Sequence, residues 1–157
     1  MIDLDLAREH LKVDDEGVED VLIQQYIDSA VSACEGYCNR KFYVSPTEQL
    51  VDFDLAITEL TEAQEQYEAD VAATEDCELL SIYQDRLIRA RGNILHRVNG
   101  VVIDGTITAA ILMMLGHFYR NRQEVVVGQY SGATQLPAGA RRILEPYLWI
   151  GNIGGGS

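Results

Sequence analysis

Residues 104–125 read DGTITAAILMMLGHFYRNRQEV and join an apolar run to an abruptly polar ending. The apolar residues recur at spacings of three and four and predict an amphipathic core helix with these inward positions: Ile107, Ile111, Met114, Leu115 and Phe118. Thr106 is expected to cap the start of this helix. Arg120 and Arg122 follow its last aromatic residues, where cations suit the negative end of the helix dipole.

A second amphipathic segment covers residues 18–38 and is the expected packing partner of the first. The core predicted from the two helices consists of Leu22, Tyr26, Ala30, Ile111, Leu115 and Phe118. A short helix is expected to precede them at residues 3–13, and another to follow from Pro137. Arg141 and Arg142 lie near the expected start of that last helix, where the dipole disfavours cations, so we expect them to contact acidic residues elsewhere.

Residues 47–91 contain neither glycine nor proline and are expected to be helical throughout. Residues 52–78 hold ten acidic residues and no base, whereas residues 79–98 hold four arginines and one aspartate. A fold-back near residues 74–77 would place Glu65 opposite Arg86 and Glu62 opposite Arg89, which favours a helical hairpin. The alternative is one uninterrupted helix of about 45 residues, about 70 Å long at 1.5 Å per residue.

The predicted fold class is therefore all-α: a small helical bundle with an inserted long helical hairpin, a short C-terminal helix and short strands as minor elements. A chain of 157 residues fits one domain, residues 1–150. Its core would come from residues 4–45 and 105–148, with the helical insert at 47–104. Residues 151–157 read as a flexible glycine-rich tail.

The charge of the chain is strongly negative and unevenly distributed. The net charge is -13, with 21 acidic and 4 basic residues in positions 1–80 but 4 acidic and 8 basic residues in positions 81–157. Such a chain is a poor match for nucleic acid, because phosphate binding depends on Lys and Arg. Its two halves can instead attract one another, or copies of one another. No apolar run approaches the roughly 20 residues of a membrane helix, so no membrane partner is expected.

Neither catalytic nor metal-binding patterns are evident. Cys34 and Cys38 are four residues apart but lack a further ligand pair nearby, so buried thiols are the favoured interpretation. The glutamates that recur every third residue from Glu59 to Glu68 lack the Glu-x-x-His and Glu-x-x-Asp pairs of helical metal sites. We expect no enzymatic activity and no cofactor.

Three segments taken in order carry a family resemblance: LAREHLKVDDEGVEDVLIQQYIDSAVSACEGYCNRKF, then DGTITAAILMMLGHFYRNRQEV, then LPAGARRILEPYLW. This order resembles the head-tail connector (adaptor, or head-completion) proteins of tailed double-stranded DNA bacteriophages. The matching residues are Leu11, Asp14, Asp15, Ile27, Ala30, Tyr37, Arg40, Ala110, Ile111, Leu112, His117, Tyr119, Asn121, Arg122, Leu136, Pro137, Leu144, Pro146 and Tyr147. The chain departs from the family in its long insert, and in Leu148 and Trp149, where an arginine is often found.

The resemblance implies a structural virion protein at the head-tail junction. It implies a ring of twelve copies on the portal protein, extending the DNA channel and providing a platform for the tail or its stopper. DNA would pass through the lumen without specific binding. The candidate intersubunit contacts are Arg120, Arg122, Arg141, Arg142, Glu62 and Glu65, and the candidate portal-docking residues are Tyr147, Trp149 and Ile150. The rival interpretation is an acidic DNA mimic that inhibits a basic host protein.

Overall fold

A computed structural model describes residues 2–13, 19–121 and 136–151. Its elements, in chain order, are α1 (Leu4–Leu11), α2 (Asp20–Cys38), β1 (Phe42–Tyr43), α3 (Pro46–Ala72), α4 (Cys77–Val98), β2 (Val101–Val102), α5 (Gly105–Arg120), α6 (Ala138–Leu144) and a 3-10 turn (Glu145–Tyr147). β1 and β2 pair in a two-stranded sheet, and the other elements of the described residues are helices, which confirms the all-α prediction. The predictions for Arg122 and for residues 152–157 lie outside the described residues.

The chain divides into two compact units. One contains Met1–Phe42 and Ile103–Ser157, and the other contains Tyr43–Val102. The first unit thus holds α1, α2, α5 and α6, and the second holds α3 and α4. Assignment of residues 1–150 to a single connector domain stays a prediction.

The core of the first unit forms where α2 packs against α5, with α1 and α6 packed on them. The buried residues of the two central helices are Ile23, Tyr26, Ile27, Ala30, Cys34, Cys38, Ile107, Ala110, Ile111, Met114, Leu115, Gly116 and Phe118. The assignment of Leu22 to the core was wrong, because Leu22 is only half-buried while its neighbour Ile23 is fully buried. Tyr26 and Ala30 are buried as predicted, so the difference is confined to the first turn of α2.

Helix α5 starts one residue before the expected cap. Its N-cap is Asp104, whose side chain accepts hydrogen bonds from the backbone N–H groups of Thr106 and Ile107 at 2.9 and 2.8 Å. The predicted cap Thr106 therefore lies inside the first turn and donates to the true cap. A carboxylate suits this position better than a hydroxyl because it satisfies two free N–H groups and faces the positive end of the helix dipole.

The second unit is a helical hairpin, so the alternative of one uninterrupted helix was wrong. α3 ends at Ala72, and α4 starts at Cys77 behind its N-cap Asp76, which accepts from the backbone N–H of Glu78. α3 and α4 pack against each other along their lengths. Ala56 and Ile94 are the buried residues of this pair of helices.

The predicted ion pairs of the hairpin were wrong in register. Arg86 pairs with Asp70 instead of Glu65. Glu62 and Glu65 are both exposed, and neither forms an ion pair with the residues that the structure describes. They lie on the side of α3 turned away from α4, because the spacing of the half-buried residues Ala63, Tyr67 and Asp70 defines the inward side at this height.

No helix within the described residues is long and apolar enough to span a bilayer.

Candidate intersubunit and docking surfaces

The aromatic residues at the end of α5 anchor this helix to α2. Phe118 is buried, and the Tyr119 ring meets the Tyr26 ring edge to face, with 6.3 Å between centroids. The Tyr119 hydroxyl donates to Glu19 Oε2 at 2.6 Å, just before the start of α2. Arg120 follows and is exposed. The end of α5 thus combines fixed aromatic rings with a guanidinium that remains accessible.

The other candidate arginines lie on α6. Both Arg141 and Arg142 are exposed, and the Arg141 guanidinium lies over the Tyr37 ring, 5.9 Å from its centroid. Their expected position near the helix start was wrong. Helix α6 has seven residues and ends at Leu144, so both arginines occupy its last turn, where the dipole favours cations. Their position on α6 therefore does not require an acidic partner.

The candidate acidic partners belong to the other unit. Glu62 and Glu65 lie on the exposed side of α3, whereas Arg120, Arg141 and Arg142 belong to the first unit. No ion pair within the described residues involves any of these five side chains. The charged groups that a neighbouring copy could use are therefore accessible on both units.

Tyr147, the first candidate docking residue, is tied into the fold. It is half-buried, and its hydroxyl donates to Asp104 Oδ2 at 2.5 Å. This hydrogen bond is the main reason that the pKa of Asp104 is lowered and that the pKa of Tyr147 is raised. Asp104 therefore connects two places: its Oδ1 caps α5, and its Oδ2 holds the C-terminal 3-10 turn. This role of Asp104 was not predicted, although an aspartate immediately before an apolar helix is a typical cap signal.

The two other docking candidates differ sharply in accessibility. The Trp149 side chain is half-buried, and its backbone N–H donates to the carbonyl oxygen of Cys38 at 2.9 Å. A β-carbon at Gly151 would lie 2.7 Å from the Trp149 indole, so the chain passes directly across that ring. Ile150 lies between them and is 89% exposed. The segment after the 3-10 turn therefore presents one large exposed apolar side chain next to Trp149, whose backbone N–H is hydrogen-bonded.

A cluster of polar residues holds the end of the hairpin that adjoins the strands. Arg97 donates from Nη2 to Asp52 Oδ1 at 2.7 Å, and it also pairs with Glu59. The hydroxyl of the buried Tyr43 donates to Asp52 Oδ2 at 2.5 Å. Burial, followed by this hydrogen bond, raises the pKa of Tyr43 well above its ordinary value. The sequence carries no local signal for this cluster, because Asp52 and Arg97 are 45 residues apart.

Two of the three thiols are buried. Burial is the main reason that the pKa of Cys34 rises to about 12 and that of Cys38 to about 11. Cys77 is exposed at the start of α4. No cluster of three or more metal-ligating side chains occurs among residues 2–13, 19–121 and 136–151.

Comparison with known protein families shows to which family the chain belongs. The model of the phage gp6-like head-tail connector proteins matches residues 1–82, which is more than half of the chain. The chain belongs to this connector family. The match covers α1, α2, β1, α3 and the first turn and a half of α4, and so includes the first of the three resembling segments. Searches among the curated proteins and the solved structures found no match.

Membership of the connector family gives these surfaces a context. A head-tail connector is a structural component of the virion, located at the head-tail junction, so its working surfaces are those that meet other protein subunits. Among the candidate residues that the structure describes, the exposed ones are Arg120, Arg141, Arg142, Glu62, Glu65 and Ile150. They are candidates for contacts with protein partners.

Proposed function

We propose that this connector protein assembles as a ring of twelve copies on the portal protein, extends the DNA channel and provides the platform for the tail or its stopper. The observation that carries the proposal is the match of residues 1–82 to the phage connector family. The net charge of -13 supports it, because a channel wall that DNA slides past should not hold phosphates.

The contacts between copies would use the opposite charges of the two units. Arg120, Arg122, Arg141 and Arg142 are the candidate basic residues, and Glu62 and Glu65 are the candidate acidic residues. The exposure of Arg120 and Arg142 supports this assignment, since neither is engaged with an acidic side chain among the described residues. Arginine is also enriched in protein interfaces.

Docking to the portal would involve Tyr147, Trp149 and Ile150. Hydrogen bonds fix the Tyr147 hydroxyl and the Trp149 backbone, while the Ile150 side chain is almost fully exposed. An apolar side chain on a preorganised turn is well suited to insertion into a pocket, because little conformational entropy is lost on binding. Ile150 would therefore be the anchor, with Tyr147 and Trp149 positioning it.

The test is reconstitution with the portal protein of the same phage. The purified chain is mixed with portal, and complexes are examined by negative-stain microscopy and sedimentation velocity. We expect twelvefold rings attached to portals. A chain that stays monomeric or dimeric with portal present, and that instead captures a basic host protein, would contradict the proposal and favour the DNA-mimic alternative.

Two variants separate ring contacts from docking contacts. Arg120→Glu/Arg142→Glu should prevent ring formation while leaving the helical content unchanged. Ile150→Asp should weaken portal binding at least tenfold, whereas Val21→Asp, a matched change at another exposed apolar residue, should not. Persistence of rings in the double arginine variant, or unchanged portal binding by Ile150→Asp, would show that the corresponding residues are misassigned.

A further inference from the structure

One side of the hairpin carries a row of exposed apolar residues. On α3, Leu50, Phe53 and Ile57 are spaced three and four apart and lie on one flank of the helix. Leu50 is 66% exposed. On α4, Ile88 and Leu95 are seven apart and also exposed, with Arg91 between them. These residues are accessible although they lie beside the line along which α3 and α4 pack.

Helix geometry places the two rows on the same side of the hairpin. The inward rows are marked by Ala56 on α3 and Ile94 on α4. On each helix, successive residues are rotated by about 100° around the axis. In that sense of rotation, the exposed row lies roughly a quarter to a third of a turn beyond the inward row. Because the helices are antiparallel, equal rotations from the inward rows lead to the same side. We call these residues the apolar face: Leu50, Phe53, Ile57, Ile88, Arg91 and Leu95.

The side of α3 that faces away from both the apolar face and α4 carries a different row. Val51 and Leu55 are exposed on it near the strands, and Glu62 and Glu65 are exposed farther along the helix. Neither glutamate pairs with a base within the described residues, as noted above. We call these four residues the acidic edge. It is apolar towards the strands and negative towards the turn.

The apolar face and the acidic edge lie at the same level along the long axis of the hairpin. Arg97 pairs with Asp52, and Arg86 pairs with Asp70, which fixes the register of α3 and α4. Arg91 lies midway between the two arginines, so it stands level with the middle of α3, close to the height of Glu62. Most apolar residues of the two surfaces lie nearer the strands: Leu50, Phe53, Ile57 and Leu95 on the apolar face, and Val51 and Leu55 on the acidic edge. Ile88 lies on the turn side of Arg91.

We infer that the apolar face of one hairpin packs against the acidic edge of the hairpin of a neighbouring copy, with Arg91 of one chain opposite Glu62 of the next. A second copy is the occupant because the two complementary surfaces belong to the same chain, on opposite sides and at equal height. Such a contact is heterologous, and it generates a ring when the rotation between successive copies closes. The inference rests on the proposed ring, and within that ring it assigns Arg91, instead of an arginine of the first unit, as the partner of Glu62.

A charge exchange tests the contact between copies. Arg91→Glu and Glu62→Arg should each reduce association of copies at least tenfold, since like charges then face each other. The double variant Arg91→Glu/Glu62→Arg should restore it, because each interface regains an opposite pair. The matched control is Arg89→Glu, the same change on α4 but on the opposite side. It should assemble like the unmodified chain, as measured with portal by sedimentation velocity and negative stain.

A disulfide ladder provides a second measurement. The variant Glu62→Cys/Arg91→Cys is made in a Cys77→Ser background. Mild oxidation should then link successive copies into a series of covalent oligomers, since each copy contributes one thiol to each of its two neighbours. Within one chain the two positions lie on opposite sides of the hairpin and cannot join. The control pair Glu62→Cys/Arg89→Cys should give no ladder. Cys34 and Cys38 are buried, and their raised pKa keeps them protonated.

The outcomes distinguish this contact from the proposed function. Rings that persist in both single variants, or a double variant that folds but does not recover, would overturn the hairpin contact and leave the ring proposal standing. Rings that persist but no longer bind portal would assign the apolar face to the portal instead. If the unmodified chain forms no ring with portal, the proposed function fails, and the contact between copies fails with it.

Discussion

Tyr147 donates its hydroxyl to Asp104, the residue that caps α5, although the two are 43 positions apart in the chain. One carboxylate therefore serves the start of a core helix and the turn that leads to Ile150. The family match ends at residue 82 and does not reach this pair. The contact that holds the segment leading to Ile150 therefore lies outside the part of the chain that the family match covers.

Removal of the Asp104 carboxylate should loosen both of its attachments. We expect Asp104→Ala to lower the free energy of unfolding by about 0.5–2 kcal/mol, the usual cost of losing a helix cap. Asp104→Asn keeps cap geometry and should cost less. Chemical denaturation followed by circular dichroism measures both, and equal stability of the alanine variant and the unmodified chain would contradict the role of Asp104 as cap.

Asp104 should also make the free energy of unfolding depend on pH. The pKa of Asp104 is lowered in the folded chain, chiefly by the hydrogen bond from Tyr147. A lowered pKa means that the stabilisation is complete above the ordinary pKa of aspartate and is lost as the pH falls through the folded value. The stability difference between the unmodified chain and Asp104→Asn should therefore shrink in acid. A difference independent of pH would show that the charge of Asp104 contributes nothing.

The two arginine–aspartate pairs of the hairpin should differ in strength. The Arg97–Asp52 side chains are 21% and 16% exposed, whereas Arg86 of the Arg86–Asp70 pair is 55% exposed. We expect Asp52→Ala to cost about 1.5–3 kcal/mol, as for hydrogen bonds to charged groups with little water access. Asp70→Ala, the matched control, should cost less than about 1 kcal/mol. Equal losses in urea denaturation would contradict this ranking.

Thiol chemistry should separate the three cysteines. Cys77 is exposed, whereas burial raises the pKa of Cys34 to about 12 and that of Cys38 to about 11. Since the thiolate is the reactive form, a thiol reagent at pH 8 should modify one cysteine of the folded chain rapidly and the other two only on unfolding. Cys77→Ser should abolish the rapid phase, and prompt reaction of two or more thiols would contradict the burial of Cys34 and Cys38.

A glycine in the middle of α4 offers a stabilising substitution. An added β-carbon at Gly92 has no atom within 4 Å, so Gly92→Ala should raise the free energy of unfolding by about 0.5–1 kcal/mol through helix propensity. Gly151→Ala should have the opposite effect, because its β-carbon would lie 2.7 Å from the Trp149 ring. Thermal unfolding measures both signs, and destabilisation by Gly92→Ala would reveal a contact at this position.

Local patterns in the sequence were sufficient for the helices and the charge asymmetry. Apolar spacing predicted the segments that became α2 and α5, and the reversal of charge after residue 78 favoured a turn, which the structure contains between Ala72 and Cys77. These features are determined by neighbours three or four positions away, or by short turn segments, so they can be read along the chain. The family resemblance, whose first segment lies within the matched residues 1–82, was also confirmed.

Three features were decided only by tertiary structure. Ile23 instead of Leu22 faces the core, Arg86 pairs with Asp70 instead of Glu65, and Asp104 binds Tyr147. Each depends on the angle or register at which two distant segments meet, and a shift of about 100° or of one helical turn changes the partner without altering the local pattern. The sequence alone therefore determined which helices form and what charge they carry, and packing decided which side chains meet.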